Sequence, residues 1–222
     1  LPLSDDGQLL VNLGLIHRDG EVVPYWDKWI QATKRQAWKQ KGWYVWDQGS
    51  NLPGDWNGRF APSFEFVFHF CRVAVKPQKW VACKDNNLTI GRREEATRRA
   101  GQKVKGGAGR GKNGIVPDFK GSRNAFKIPD STIRVSRDYG NGTNHSAIFP
   151  VRLAEYVIKS WLGQVYEPFC GSGTTLIAAE QLDRTCYGME ISPAYCDVIV
   201  ERWEKLTGEK AKRPKRKTRR AK

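Results

Sequence analysis

The chain has 222 residues with 38 Lys or Arg against 23 Asp or Glu, a formal net charge of +15, so a polyanionic partner is expected and nucleic acid is the first choice. No apolar run approaches the roughly 20 residues that span a bilayer, and Cys71, Cys83, Cys170, Cys186 and Cys196 form no Cys-x-x-Cys pair. With no secretory signal in view, neither a zinc site nor a disulfide framework is indicated, no membrane span is expected, and a cytoplasmic protein is expected. The length suits one α/β domain with an inserted region, and its plentiful Trp and Phe can fill the core. The chain begins at Leu1 and its only methionine is Met189, so an upstream segment is expected.

Gln8–Leu13 is an apolar run after the turn signal Ser4-Asp5-Asp6-Gly7 and predicts a buried strand. Residues 22–40 carry Trp26, Trp29, Ile30, Thr33 and Ala37 near helical spacing, with Gly42 as the expected end of that helix. Trp43–Trp46 predicts a strand. After a Gly-, Pro- and Asn-rich loop at 48–63, Phe64–Cys71 (FEFVFHFC) alternates with a period of two, as a strand does. These two strands are expected to pair antiparallel. From Arg72 to Thr143 periodicity fades, basic residues and glycine dominate, and a loop or insertion is expected. Phe149–Leu162 predicts a helix with Pro150 near its start and Gly163 beyond its end. The remainder alternates: strand 164–168, helix 174–182, strand 184–191, then helix 193–206 with Ser192 as N-cap, followed by a basic tail at 209–222.

The sharpest motif is Val165–Thr175, VYEPFCGSGTT, a strand running into a Gly-x-Gly turn that opens a helix. Glycines let the backbone approach a ligand closely, and free N–H groups at a helix start favour an anion. Glu190 follows about 20 residues later, at the end of the next strand, where a carboxylate bonds ribose hydroxyls in dinucleotide-binding folds. Any strand-to-helix turn can use glycines. Pro168-Phe169 before this one, Thr174-Thr175 after it and Glu190 beyond favour a nucleoside ligand. The third glycine of a dinucleotide fingerprint is absent, because Ile177 and Ala178 occupy the helix there.

EPFCGSGTT closely resembles the S-adenosylmethionine motif of bacterial and phage DNA methyltransferases that modify the exocyclic amino group of adenine or cytosine, usually written with Asp where Glu167 stands. Residues 144–150 (NHSAIFP), the stretch RTCYGMEISPAYCDVIVERWEKLTG, and residues 43–48 and 64–72 resemble other segments of that family. The resemblance implies that Glu167, Pro168, Gly171, Ser172, Gly173 and Thr174 hold the methionine part of S-adenosylmethionine, that Glu190 bonds its ribose, that Phe169 and Ile191 pack around the adenosine, and that Ser146, Ala147 and Phe149 close the methionine side. It implies an α/β fold with a Rossmann-like sheet, incomplete at its N-terminal side, covered by helices on both faces and carrying an inserted basic recognition region. The domains expected are 1–71, part of the catalytic subdomain; 72–143, the target-recognition region; 144–208, the cofactor-binding subdomain; and 209–222, the tail. The implied activity is site-specific methylation of adenine N6 or cytosine N4 in double-stranded DNA, in a bacterial or phage-infected cell.

One departure is large. The family's Asp- or Ser-Pro-Pro-aromatic loop, whose acceptors orient the target amine, has no counterpart, since no Pro-Pro pair occurs in the chain. In the permuted motif order that loop lies upstream of Leu1, so the catalytic residues stay unassigned and the chain is expected to be a truncated, inactive portion. A non-catalytic DNA-binding remnant is the alternative. An RNA guanine methyltransferase is a third reading, disfavoured because its Pro-Pro loop follows the cofactor motif.

Within the insertion, Arg92, Arg93, Arg98, Arg99, Lys103, Lys105, Arg110 and Lys112 are the candidate phosphate contacts; a merely solvated basic loop is the competing reading. In the aromatic cluster Trp43, Tyr44, Trp46, Trp56 and Phe60, one ring is a candidate to stack on an extruded base, with core packing expected for most. Glu65 and His69 are candidates to face a target pocket, and strand-edge polar roles compete with that reading.

Overall fold

The computed structural model describes residues 4–49, 58–82, 126–137 and 149–213. The chain divides into two compact units, residues 1–78 with 130–222, and residues 79–129. In the smaller unit, the described residues form one antiparallel pair of two-residue strands, β6 (Val81–Ala82) and β7 (Phe126–Lys127).

In the larger unit, strand β1 (Gln8–Leu13) is followed by the small hairpin of β2 (His17–Arg18) and β3 (Glu21–Val22). Helix α1 (Trp26–Arg35), strand β4 (Lys39–Asp47), strand β5 (Phe64–Cys71) and strand β8 (Thr132–Arg134) come next. They build a four-stranded sheet in the order β1-β5-β4-β8. β5 pairs antiparallel with both β1 and β4, as expected for the β4–β5 pair, and β8 lies parallel to β4.

β5 organises this sheet. Its Phe66, Phe68 and Phe70 side chains pack with Trp26, Ile30 and Trp38 on the α1 face. Its Val67 packs with Trp46, Ile133 and Leu153 on the other face. Both faces of β5 are therefore covered, and its alternation separates two apolar layers instead of an apolar and a wet one. Ring edges add to the first layer: Trp29 meets Phe70 at 5.3 Å and Trp26 meets Phe66 at 5.6 Å, both edge-to-face.

Helix α2 (Val151–Ser160) joins this sheet to the rest of the unit. Leu153 packs on the Trp46–Val67–Ile133 cluster, while Ala154 and Ile158 pack on Ala178 and Ala179 of α3 (Thr174–Glu180). Strands β9 (Val165–Glu167) and β10 (Cys186–Gly188) form a separate parallel pair, and α4 (Pro193–Thr207) closes the described chain. No helix among the described residues is long and apolar enough to cross a membrane.

Several sequence expectations need correction. The helix expected over 22–40 spans only Trp26–Arg35, because the chain turns at Gln36 and Ala37, the latter at φ 64°. Trp38 is then carried back onto the core, and β4 starts at Lys39. Gly42 does not end a helix. It sits in β4 at a register shift, and a Cβ there would stand 2.3 Å from the Tyr44 ring, which lies across it. Gln8–Leu13 is half-buried throughout, since β1 has only β5 beside it among the described residues. The loop expected over 72–143 contains β8, three residues too short to show a period, whose Ile133 is 2% exposed. Residues 50–57, within the loop expected over 48–63, lie outside the described residues.

The buried His69 of β5 is paired through both ring nitrogens. His69 is 5% exposed and lies between the Tyr44 hydroxyl, 2.9 Å from Nδ1, and the Gln8 side-chain oxygen, 2.9 Å from Nε2, with the Trp161 ring 4.8 Å away. The Gln8 amide nitrogen donates to the Asp6 and Val73 carbonyls, so its oxygen must face His69. Nε2 therefore carries the proton, and Nδ1 accepts from Tyr44. Burial, with the charge of Lys41 added, lowers the His69 pKa to about 4.

This burial generates a pH dependence. The unfolded chain takes up a proton on His69 near pH 6.5, whereas the folded protein does so only near pH 4. The stability contribution is thus full above pH 6.5 and falls as pH drops toward 4, by roughly 2–3 kcal/mol in all. Urea unfolding at pH 7.5 and 4.5 should show wild type losing about that much relative to His69→Gln; a pH-independent gap between the two refutes the linkage.

Candidate functional site

The sequence from Val165 builds a strand that stops at Pro168, and the chain then turns through Cys170–Gly173 into α3. Gly171 and Gly173 hold φ of 51° and 81°. At Gly173 the constraint is doubled, because a Cβ would also stand 2.9 Å from Cγ1 of Ile199 on α4.

Two carboxylates tie this turn down. Glu167 Oε1 accepts from the Phe169 backbone N–H at 3.0 Å, and its Oε2 accepts from the Thr175 hydroxyl at 2.9 Å. The end of β9 is thereby clamped to the first turn of α3. Glu190, just past β10, places Oε2 2.7 Å from the Gly171 N–H and Oε1 2.9 Å from the Ser192 N–H. The two strand ends are also linked through the backbone, with Met189 N–H donating to Glu167 O and Cys170 N–H donating to Met189 O, each at 2.9 Å.

The surroundings are apolar and open. Phe169 is 86% and Ile191 98% exposed, at corresponding places beyond the carboxyl ends of two adjacent parallel strands. In open α/β sheets this edge, beyond the carboxyl ends of the parallel strands, is where ligands bind. Tyr166 donates its hydroxyl to the Met189 sulfur at 3.0 Å. The Cys170 thiol is buried, and its pKa is raised first by burial and then by the charge of Glu167, while Cys186 is pushed up to about 11, again chiefly by burial. Both thiols stay protonated near neutrality, so neither acts as a nucleophile there.

Arg202, which the sequence reading missed, reaches from α4 to this turn. Its Nη1 donates to Ser172 O at 2.5 Å, to Ser172 Oγ at 3.1 Å and to Thr174 Oγ1 at 3.5 Å. Burial lowers its pKa from the ordinary value. It lies 30 residues from Ser172 in a helix with no buried residue, and nothing in the local pattern separates it from a solvated arginine. Trp203 beside it donates to Glu180 on α3 at 3.0 Å, so α4 is fastened by polar contacts from two adjacent residues.

The structure thus brings together Glu167, Phe169, Gly171, Ser172, Gly173, Thr174, Glu190 and Ile191. Phe149 packs against both apolar clusters that α2 joins. Ser146 and Ala147 lie outside the described residues, as do Arg92, Arg93, Arg98, Arg99, Lys103, Lys105, Arg110 and Lys112. Ser192 stands at the N-cap of α4 as expected, but its side chain makes no cap hydrogen bond; Glu190 takes its backbone N–H instead. The strand expected over 184–191 is confined to Cys186–Gly188, because beyond it the backbone turns to bring Glu190 under Gly171.

Of the aromatic cluster, Trp46 is core, Tyr44 is held by His69, Trp43 is half-exposed against Phe66 and Phe68, and Phe60 is exposed; Trp56 lies outside the described residues. No group of three His, Cys, Asp or Glu side chains placed to hold a metal occurs among the described residues.

Replacing Arg202 by Met keeps the aliphatic stem and removes these donors. Urea unfolding should show a loss of about 1.5–3 kcal/mol, the value of hydrogen bonds to a charged group; no loss would mean that the turn does not depend on α4.

Comparison with known proteins gives consistent relatives. Residues 1–201 match the family described as DNA methylase, N6_N4_Mtase. The orphan methyltransferase M.BamHII of Bacillus amyloliquefaciens is 32% identical over 150 residues, 65% of this chain and 55% of that protein. The type II methyltransferase M.ScaI of Streptomyces caespitosus is 35% identical over 99 residues, 42% of this chain and 33% of that protein. The chain spans about half the length of the first of these relatives and less of the second. Among solved structures, the PvuII DNA methyltransferase (cytosine-N4-specific) superposes with a TM-score of 0.61 at 19% identity, covering 93% of this chain and 69% of that one. The M1.HpyAVI–SAM complex gives 0.52 at 16% identity, covering 90% and 76%. At these identities the likeness establishes the mixed α/β fold.

Proposed function

This chain belongs to the DNA methylase family, and from that membership and the geometry of the glycine turn we propose that the protein transfers a methyl group from S-adenosylmethionine to an exocyclic amino group in DNA, adenine N6 or cytosine N4, as a modification enzyme of the type II kind. The observation that carries this reading is the pairing of Glu190 with the Gly171 N–H across the ends of two parallel strands, flanked by exposed Phe169 and Ile191.

In this reading β9 and β10 are the cofactor-binding strands of a Rossmann-like sheet. Glu190, held by the Gly171 and Ser192 N–H groups, is the acceptor for the ribose hydroxyls, and Phe169 and Ile191 enclose the adenine. The turn Gly171–Thr174, with Pro168 before it, faces the methionine part, and Ser146, Ala147 and Phe149 close that side. The Glu167 contacts give it a positioning role: it holds the turn, with both oxygens committed to Phe169 and Thr175. The longer side chain, against the family's Asp, supplies the reach to Thr175.

The donor supplies an electrophilic methyl group on a sulfonium, and the attacking amine nitrogen needs acceptors that hold its hydrogens while it lies in line with that methyl. A Pro-Pro-aromatic loop supplies those acceptors in the resembling enzymes, and these 222 residues contain no Pro-Pro pair. Methyl transfer is therefore proposed of the whole protein. Residues 72–143 are assigned to target recognition, with phosphate contacts from the basic residues between Arg92 and Lys112, residues 144–208 to the cofactor, and the cytoplasm of a bacterial or phage-infected cell to the reaction.

Calorimetric titration with S-adenosylmethionine tests the cofactor assignment. Glu190→Ala should weaken binding about 10- to 150-fold, the equivalent of a lost charged hydrogen bond, and unchanged affinity would remove Glu190 from the site. For the nucleic acid, neutralising Arg92, Arg93, Arg98 and Arg99 together should flatten the salt dependence of duplex binding by about 0.9 in slope per lost contact. A slope equal to that of the wild type would place the DNA surface elsewhere.

A further inference from the structure

A second polar cluster, built from residues other than those of the glycine turn, stands at one end of the four-stranded sheet. β1, β4 and β8 run in the same direction and β5 runs against them. Their carboxyl ends, at Leu13, Asp47 and Arg134, therefore meet the start of β5, where Glu65 stands. In open α/β sheets the carboxyl ends of the parallel strands are the edge at which ligands bind. The pleat sets Glu65 on the same face as Val67, the face packed by α2.

Glu65 Oε1 accepts from Gln48 Nε2 at 2.8 Å and from Arg137 Nη2 at 3.3 Å. Gln48 is 3% exposed, and because a carboxylate only accepts, its amide nitrogen must face Glu65 and its oxygen must point away. Among the described residues, nothing donates to that oxygen or to Glu65 Oε2. A buried amide oxygen left in this way is unusual, because buried polar atoms are nearly always paired. The Glu65 side chain keeps 24% exposure, so it is reachable from outside. Gly14 opposite adds no side chain; a Cβ there would stand 3.6 Å from Glu65 Cδ. Tyr25 donates to Gly14 O at 2.9 Å, and its pKa is raised by burial and then by the charge of Glu65, a sign of how near the phenol stands.

We infer that Glu65 is a base-positioning residue, whose Oε2 accepts a hydrogen from the exocyclic amino group of an extruded adenine or cytosine while Gln48 and Arg137 fix the carboxylate through Oε1. This assignment rests on the function proposed above. The chemistry is selective: an amino group gives Oε2 a donor, whereas the carbonyl of thymine or guanine at the corresponding position turns lone pairs toward a carboxylate and is repelled. Arg137 offsets the charge, so the carboxylate need not sit unpaired when the base displaces water.

The test is fluorescence anisotropy with the full chain and S-adenosylhomocysteine, using mixed-sequence duplexes identical but for one bulged nucleotide. The bulge is adenine or its amino-free analogue purine, cytosine or its amino-free analogue pyrimidin-2-one, or an abasic site. Wild type should favour the amino-bearing member of at least one pair by about 5- to 150-fold, the discrimination of one good polar contact. Glu65→Leu should abolish that preference, read as the ratio of affinities within each pair, whatever its effect on the duplexes in common. Glu65→Gln, which keeps the volume and an oxygen for Gln48 but turns donors outward, should bind the amino-free member at least as well. Equal binding of both members of each pair by wild type overturns the assignment, as does a preference that survives in both variants. Failure of wild type to bind even the abasic duplex overturns the DNA reading itself, a separate outcome from loss of amino-group preference.

Discussion

The pleat of β5 is the constraint on which the larger unit depends. A strand with neighbours on both edges and cover on both faces has no wet side, so its alternation of Phe with Glu, Val, His and Cys sorts residues between two interiors. The phenylalanines go to α1, where ring edges and tryptophans fill the space. The polar residues go to the α2 face, where each must find partners or function. His69 finds Tyr44 and Gln8. Glu65, four residues earlier and nearer the strand end, finds Gln48 and Arg137 on one oxygen only.

The same economy of donors and acceptors governs the glycine turn. A chain leaving a parallel strand and entering a helix exposes N–H groups with no ladder or helix to receive them. Here Glu167 and Glu190 receive the N–H groups of Phe169, Gly171 and Ser192, and Arg202 secures the opposite side through Ser172 and Thr174. The turn is thus set before any ligand arrives, and preorganisation of this kind lowers the ordering cost of binding. It also explains how an exposed Phe169 and Ile191 can flank a rigid edge: the backbone beneath them is fixed by polar contacts, leaving their apolar surfaces to face outward.

Helix α2 connects these two centres. Leu153 in its first turn enters the cluster around Trp46 and Ile133, while Ala154 and Ile158 lie against the alanines of α3. The small residues Ala154, Ala178 and Ala179 let the two helices approach closely, and Phe149 at the entrance to α2 fills the junction. A displacement of α2 would therefore be felt in both layers at once.

The sequence by itself determined the elements whose patterns are local. Alternation in Phe64–Cys71 specified β5, the order of strand, glycines, helix, strand and acid specified the cofactor-type turn, and Ser192 with Pro193 marked the start of α4. The family could be recognised in EPFCGSGTT because that function is concentrated in one run of backbone. The tertiary structure alone decided what depends on residues far apart in the chain. The helix after Val22 stops at Arg35 because Trp38 is needed in the core, and β8 exists because β4 offers it an edge, a partnership that three residues cannot announce. Arg202 reaches Ser172 across 30 residues, and Glu65 meets Arg137 across 72. Periodicity and motif spacing carry the geometry of one segment, whereas a hydrogen bond between distant side chains is fixed only when packing brings their strands and helices together.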